Sequence, residues 1–265
     1  MRPDLHELET FYASRQGQLA RRLIGRQIRR LWPDLRGRCV LGVGHAGPFL
    51  SAFDGAERAL AFALAPDGGL DGAKLPADPS GRVALAREDE LPLPDQSVDR
   101  VLLVHAVETS PSPKRLLREV WRVLADGGRL IAVVPNRRGL WCLGDGTPFG
   151  RGEAYSGEKL ARRLDGHLFE PRAELGALFL PPTRSRLLLR LAVPAERVGL
   201  RLAPRFSGVV LVEAEKRIYV GTPLPVAEGE LKPARRYVAV PRSLVAARRP
   251  TTLAAPGSPD LPRAA

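Results

Sequence analysis

The residues able to do chemistry gather at what read as strand ends. The first group lies in VLGVGHAGPFL, Val40 to Leu50, where an apolar strand breaks into Gly44-His45-Ala46-Gly47-Pro48 and resumes with a helix-like apolar pattern. Glycine has no Cβ, so such a turn lets a ribose or phosphate approach the backbone, and the next helix directs free N–H groups at it. The same turn also serves as a plain tight connection, and both readings stay open. The second group is His105 with Glu108, at the end of VLLVHAV, Val101 to Val107. An imidazole there is a candidate base, oriented by the carboxylate three residues on, or else a residue that caps the strand. The third is Asn136-Arg137, an amide and a guanidinium suited to an acceptor's carboxylate or phosphate, or simply exposed. His45, inside the turn, reads as a packing or backbone-bonding residue. Cys39 and Cys142 make neither a disulfide framework nor a metal-ligand cluster, so no metal site is expected.

These groups need a scaffold that delivers strand ends to one edge. Alternating elements provide it: strand Cys39 to Val43, a helix from about Pro48, strands Ala59 to Ala65, Val83 to Ala86 and Val98 to His105, helix Pro113 to Ala125 and strand Arg129 to Val134. Continuous apolar strands are what a sheet buried on both faces requires, which predicts an α/β fold with a doubly wound, mostly parallel sheet and a ligand crevice at its C-terminal strand ends. Residues 1–37 read as N-terminal helices ended by Pro33, packed on the domain edge with Arg21, Arg22, Arg26, Arg29 and Arg30 solvated. Gly139 to Ser156, rich in glycine and carrying Trp141, Phe149 and Tyr155, reads as an ordered loop at the ligand end. Beyond it come a helix from Gly157, a sixth strand in FEPRAELGALFLPP, helices interrupted at Pro194, and a closing strand in SGVVLVEAEKRIYVG. The main domain is expected over 38–222, with 223–265 a flexible tail rich in Pro, Ala and Arg.

The 265 residues suit one sizeable core with attached arms, and no apolar run approaches the roughly 18 residues needed to cross a bilayer. The opening MRPDLHELE carries acids and no apolar stretch, so no secretory signal is expected, and the cysteine usage suits a reducing cytoplasm. The net charge is +12, but basic residues outnumber acidic ones nine to four over 1–38 and seven to one over 231–265, while over 39–150 the ratio is 12 to 14. The excess belongs to the ends. With 36 arginines to five lysines and few aromatic residues among them, it reads as compositional drift more than a nucleic-acid platform, and nucleic acid is not the expected partner.

Three segments in order carry a resemblance: the glycine-rich first strand, DELPLPDQSVDRVLLVHAVE (Asp89 to Glu108), and LLREVWRVLADGGRLIAVVPN (Leu116 to Asn136). This succession resembles the class I S-adenosylmethionine-dependent methyltransferases with a type 11 methyltransferase domain, over roughly Arg38 to Tyr219. A dehydrogenase-type dinucleotide domain is the main rival, but it would need Gly-x-Gly-x-x-Gly with an acid about 20 residues on. The resemblance implies a Rossmann-like, seven-stranded sheet and S-adenosylmethionine as cofactor, met by Gly42, Gly44, His45, Gly47, Asp67, Glu88, Asp89, Leu91 and His105. It also implies departures. Gly42 stands where relatives carry an acid, Ala46 replaces a glycine, and the ribose-binding acid is at best Asp67, one residue late.

Methyl transfer from such a cofactor asks mainly for positioning, since the methyl group arrives already activated. His105 is the expected base, with Glu108, Asn136, Arg137, Trp141, Phe149 and Tyr155 as candidate substrate contacts. Two functions follow: a methyltransferase acting on a small-molecule acceptor, or a methyltransferase-fold protein without catalysis that binds a protein partner through its basic termini or the 139–156 loop.

Overall fold

The computed structural model describes residues 5–53, 55–64, 81–144, 146–183, 185 and 189–218. By contacts the chain divides after Val220, and residues 1–220 form one compact unit. The tail expected over 223–265 and the ribose candidate Asp67 lie outside the described residues.

Seven strands form one sheet: β1 (Cys39–Gly44), β2 (Arg58–Leu64), β3 (Val83–Ala86), β4 (Val98–Val104), β5 (Leu124–Pro135), β6 (Phe169–Ala177) and β7 (Val209–Lys216). Their order is β3-β2-β1-β4-β5-β7-β6. The first five pair in parallel, and β7 runs antiparallel between β5 and β6. Alternation along each strand divides the core in two. Leu41, Val43, Val101, Leu103, Leu130 and Ala132 pack on α3 (Pro113–Val123) and α4 (Gly157–Asp165). Val40, Leu102, Val104, Ile131 and Val133 pack on α2 (Arg15–Leu31) and on Phe49 and Phe53. Strands buried on both faces leave no periodic polar positions, which is why VLLV reads as continuously apolar.

The N-terminal helices belong to this core. Leu23, Ile24 and Ile28 of α2 are buried while Arg21, Arg22, Arg26, Arg29 and Arg30 are exposed. The shorter α1 (Leu5–Ala13) precedes it across Ser14, whose hydroxyl caps α2 by accepting from the Gly17 amide at 3.1 Å. Gly17 permits the tight corner, because a Cβ there would lie 2.0 Å from the Phe11 carbonyl oxygen.

Three elements differ from the sequence reading. The helix expected from Pro48 is a 3-10 segment, Gly47–Phe53. Only 13 residues join β1 to β2 and must travel back past a strand about 20 Å long, so the 3-10 rise of about 2.0 Å per residue suits better than the α-helical 1.5 Å. The expected α3 ends at Val123 because Leu124 already pairs with Val98, making β5 twelve residues long. The break expected at Pro194 does not occur there. Pro194 sits in the first turn of α5 (Ala192–Leu202), where its missing N–H forfeits no helical bond.

Candidate active site at the ends of β1 and β4

β1 and β4 end side by side, and the close approach dictates the residues. Gly44 has φ +83°, and a Cβ there would lie 2.2 Å from the Val104 carbonyl oxygen. That carbonyl accepts from the His45 amide at 2.7 Å. Two positions earlier, a Cβ on Gly42 would lie 2.6 Å from the Ala46 Cβ. The absent acid at 42 and the alanine at 46 are therefore one packing solution: Ala46 fills the space into which a side chain at 42 would start.

Four polar side chains from distant segments meet above this turn. His105, at the end of β4, has φ +50°, a conformation a non-glycine residue adopts only where its surroundings hold it. Its Nδ1 lies 3.1 Å from Glu108 Oε1 and its Nε2 lies 3.0 Å from the Tyr12 hydroxyl. A carboxylate only accepts, so in the neutral ring Nδ1 carries the proton and Nε2 accepts from Tyr12. Tyr12 in turn stacks on the His45 ring, with centroids 5.0 Å apart and planes 24° apart. Phe149 closes the other side, 4.8 Å from the His105 ring. All five side chains are buried.

Burial sets the protonation of this group. Desolvation, and then the charge of His105, lowers His45 to about 3, so its imidazole is neutral at ordinary pH. Desolvation, and then the Glu108 carboxylate, pushes the Tyr12 phenol well above its ordinary value. Among the described residues, Glu108 Oε2 and His45 Nε2 have no hydrogen-bond partner. Buried polar atoms are nearly always paired, so these two mark unused bonding capacity.

The remaining predicted residues divide. The 139–156 loop does cover the crevice. Phe149 reaches His105, Trp141 packs edge-on against Phe149, and Gly152 (φ +82°) lies so close to Glu108 that a Cβ would sit 2.4 Å from its carbonyl oxygen. The polar groups of several others are engaged within the fold. Asn136 donates to the Arg205 carbonyl and to Ser207 Oγ, and its Oδ1 accepts from the Arg138 amide. Trp141 donates to the Leu180 carbonyl at 2.7 Å, and the buried Tyr155 donates to Glu153 at 2.7 Å. Arg137 is exposed. In the acidic cluster Glu88 is half-buried and Asp89 pairs with Arg87. Leu91 is in the core, and its amide donates to Glu119 at 3.1 Å. Gly47 stands beside Val83, where a Cβ would lie 3.2 Å from Cγ2.

Tyr12 is the residue that sequence reasoning missed. An α1 packed at the domain edge would not bring it here. The available signal was the adjacent pair Phe11-Tyr12 on the apolar stripe, which periodicity assigns to packing.

The C-terminal ends of parallel strands, where the glycine turn and the buried imidazole–carboxylate pair lie, are where doubly wound α/β proteins bind their ligands. The type 11 methyltransferase domain model matches residues 42–132. That match covers about a third of the chain, and the strand order is that of the class I methyltransferase fold. The fold is shared with an S-adenosylmethionine-dependent methyltransferase of Thermotoga maritima at 17% identity and a TM-score of 0.56, over 80% of this chain and 96% of that one. It is shared too with a chain from the complex of the Haloferax volcanii Trm112 methyltransferase activator and a methyltransferase, at 16% identity, TM-score 0.55, over 80% and 98%. An Aquifex aeolicus S-adenosylmethionine-dependent methyltransferase aligns at 16% identity, TM-score 0.50, over 80% and 98%. No curated protein matches the sequence.

The cofactor of proteins with this domain is S-adenosylmethionine, whose sulfonium and ammonium are cationic. The residues present fit it: the unpartnered Glu108 Oε2 is a buried acceptor that complements a cation.

Proposed function

We propose that this protein is a methyltransferase that uses S-adenosylmethionine and a small-molecule acceptor bound at the ends of β1 and β4. The observation that carries the reading is the buried His105–Glu108 pair, with one carboxylate oxygen free, at the strand ends of a methyltransferase sheet. Bound there, the cofactor supplies an activated methyl group. Glu108 and the Gly44–Gly47 backbone hold its cationic and polar parts. His105 Nε2, kept an acceptor by the Nδ1 contact with Glu108, takes the acceptor's proton. Phe149 and Trp141 exclude water from the crevice. Among the described residues no helix is long and apolar enough to cross a membrane, and the free Cys39 and Cys142 support a reducing, cytoplasmic setting.

Titration calorimetry with S-adenosylmethionine and S-adenosylhomocysteine tests this on the full chain and on Glu108→Gln, which keeps the side chain's shape. Micromolar binding that weakens about tenfold in the variant is expected, since a charge-assisted contact is worth more than a neutral one. No binding of either ligand up to millimolar concentration sinks the enzyme reading.

A second reading, a methyltransferase-fold subunit without catalysis, is favoured by Gly42 and Ala46, which remove a usual cofactor anchor. One structural neighbour comes from a complex with an activator protein, which supports looking for a partner of this chain. Deleting residues 228–265 separates the two: cofactor binding and transfer survive if the crevice is the functional site, whereas a partner held by the basic tail is lost.

A further inference from the structure

Tyr12 reaches the crevice from α1, outside the sheet. Its ring lies on the His45 face and meets Phe49 edge-on at 5.8 Å, and its hydroxyl sits on His105 Nε2 at 3.0 Å. The fit is incomplete, because His45 Nε2 and Glu108 Oε2 stay unpartnered beside it. α1 is a short element, anchored by the buried Leu8 and Tyr12 and by Phe11 edge-on against Phe149 at 5.9 Å. It has nine residues, is joined to α2 through Ser14 alone, and holds the 139–156 loop by an ion pair between Glu7 and Arg151, both partly exposed. Exposed pairs of this kind contribute little. An open groove of about 740 Å³ runs along α1, lined among others by His6, Thr10, Phe11 and Thr147.

We propose that the crevice binds small molecules carrying a phenolic hydroxyl, and that Tyr12 is an intramolecular stand-in that such a molecule displaces, its hydroxyl meeting His105 Nε2 and its ring the face of His45. This rests on the methyltransferase reading only for the fate of the bound hydroxyl. An aliphatic alcohol would satisfy Nε2 but leave the His45 and Phe49 faces without a flat partner. An arene without a hydroxyl would leave Nε2 unpaired.

The test uses p-cresol, which is the tyrosine side chain without its backbone, and toluene, the same shape without the hydroxyl. Each is titrated by calorimetry into the full chain and into Tyr12→Phe, with hydrogen exchange followed at residues 5–13. Saturable binding of p-cresol to the wild type is expected, with faster exchange in α1. Tyr12→Phe fills the same volume but forfeits the bond to His105, so it should bind p-cresol about threefold to tenfold more tightly, and toluene should bind at least about tenfold more weakly than p-cresol to both proteins.

If Tyr12 is a permanent core residue, neither protein has room for p-cresol. No binding up to its solubility limit, binding without a change of exchange in α1, or equal affinity for toluene would each overturn the proposal. A parallel titration with S-adenosylhomocysteine keeps the failures apart: its absence of binding strikes the methyltransferase reading, while loss of p-cresol binding alone strikes only the acceptor class.

Discussion

Tyr12 and His105 stand 93 positions apart in the chain, yet the phenol hydroxyl lies 3.0 Å from the imidazole Nε2, with both side chains buried. Removing that hydroxyl leaves Nε2 without a partner and opens almost no space. Tyr12→Phe should therefore cost about 1 kcal/mol of folding free energy, and Tyr12→Ala, which also leaves a cavity, about 3–5 kcal/mol. Urea unfolding of the two variants checks the difference. Equal losses would mean that the hydroxyl bond contributes and the ring does not.

The glycine of the turn is required by packing. Gly44→Ala has to accommodate both a positive φ and a Cβ 2.2 Å from the Val104 carbonyl, so a loss of about 3 kcal/mol or more is expected. Gly37 also has positive φ (+66°) but nothing within 4 Å, and Gly37→Ala should cost only about 1 kcal/mol. Comparing the two unfolding midpoints separates steric overlap from backbone preference.

His45 predicts acid sensitivity. Its folded value is about 3 against 6.5 in the unfolded chain, so between those values the unfolded state binds a proton that the folded state excludes. Stability from this group is complete above pH 6.5, falls as pH drops below it, and levels off near pH 3. By pH 5 the loss is about 2 kcal/mol. His45→Leu should flatten the pH 7 to 5 limb of stability by that amount. An unchanged slope would mean that the ring is not buried in its neutral form.

Arg122 clamps the LPLPD segment from α3. Its guanidinium donates to the Leu91 and Leu93 carbonyls at 2.9 Å each, to Asp95 at 2.7 Å and to Glu119, which in turn accepts from the Leu91 amide. Lysine keeps the charge but lacks the fork, so Arg122→Lys should cost about 1–2 kcal/mol and raise hydrogen exchange at Leu91 and Leu93. Unchanged exchange would assign the order of the segment to Leu91 packing alone.

The sequence by itself determined the layers. Apolar runs of strand length separated by helical periods compel a sheet covered on both faces, and its C-terminal edge then receives Gly44, His105 and Asn136 whatever the loops do. His105 with Glu108 was legible because three residues of spacing at a strand end leave both side chains at the same edge. Tertiary structure alone decided what meets them. The connection after β1 is 3-10 because of the distance it must cover, which no local propensity records. Gly42 and Ala46 are a matched pair only once β1 folds against its own turn. Tyr12 looks like any residue of an amphipathic helix, and its place on His105 follows from how α1 turns at Ser14 and Gly17. Periodicity reports which face of a helix is buried, but the partner on that face is chosen by the packing of segments far apart in the chain.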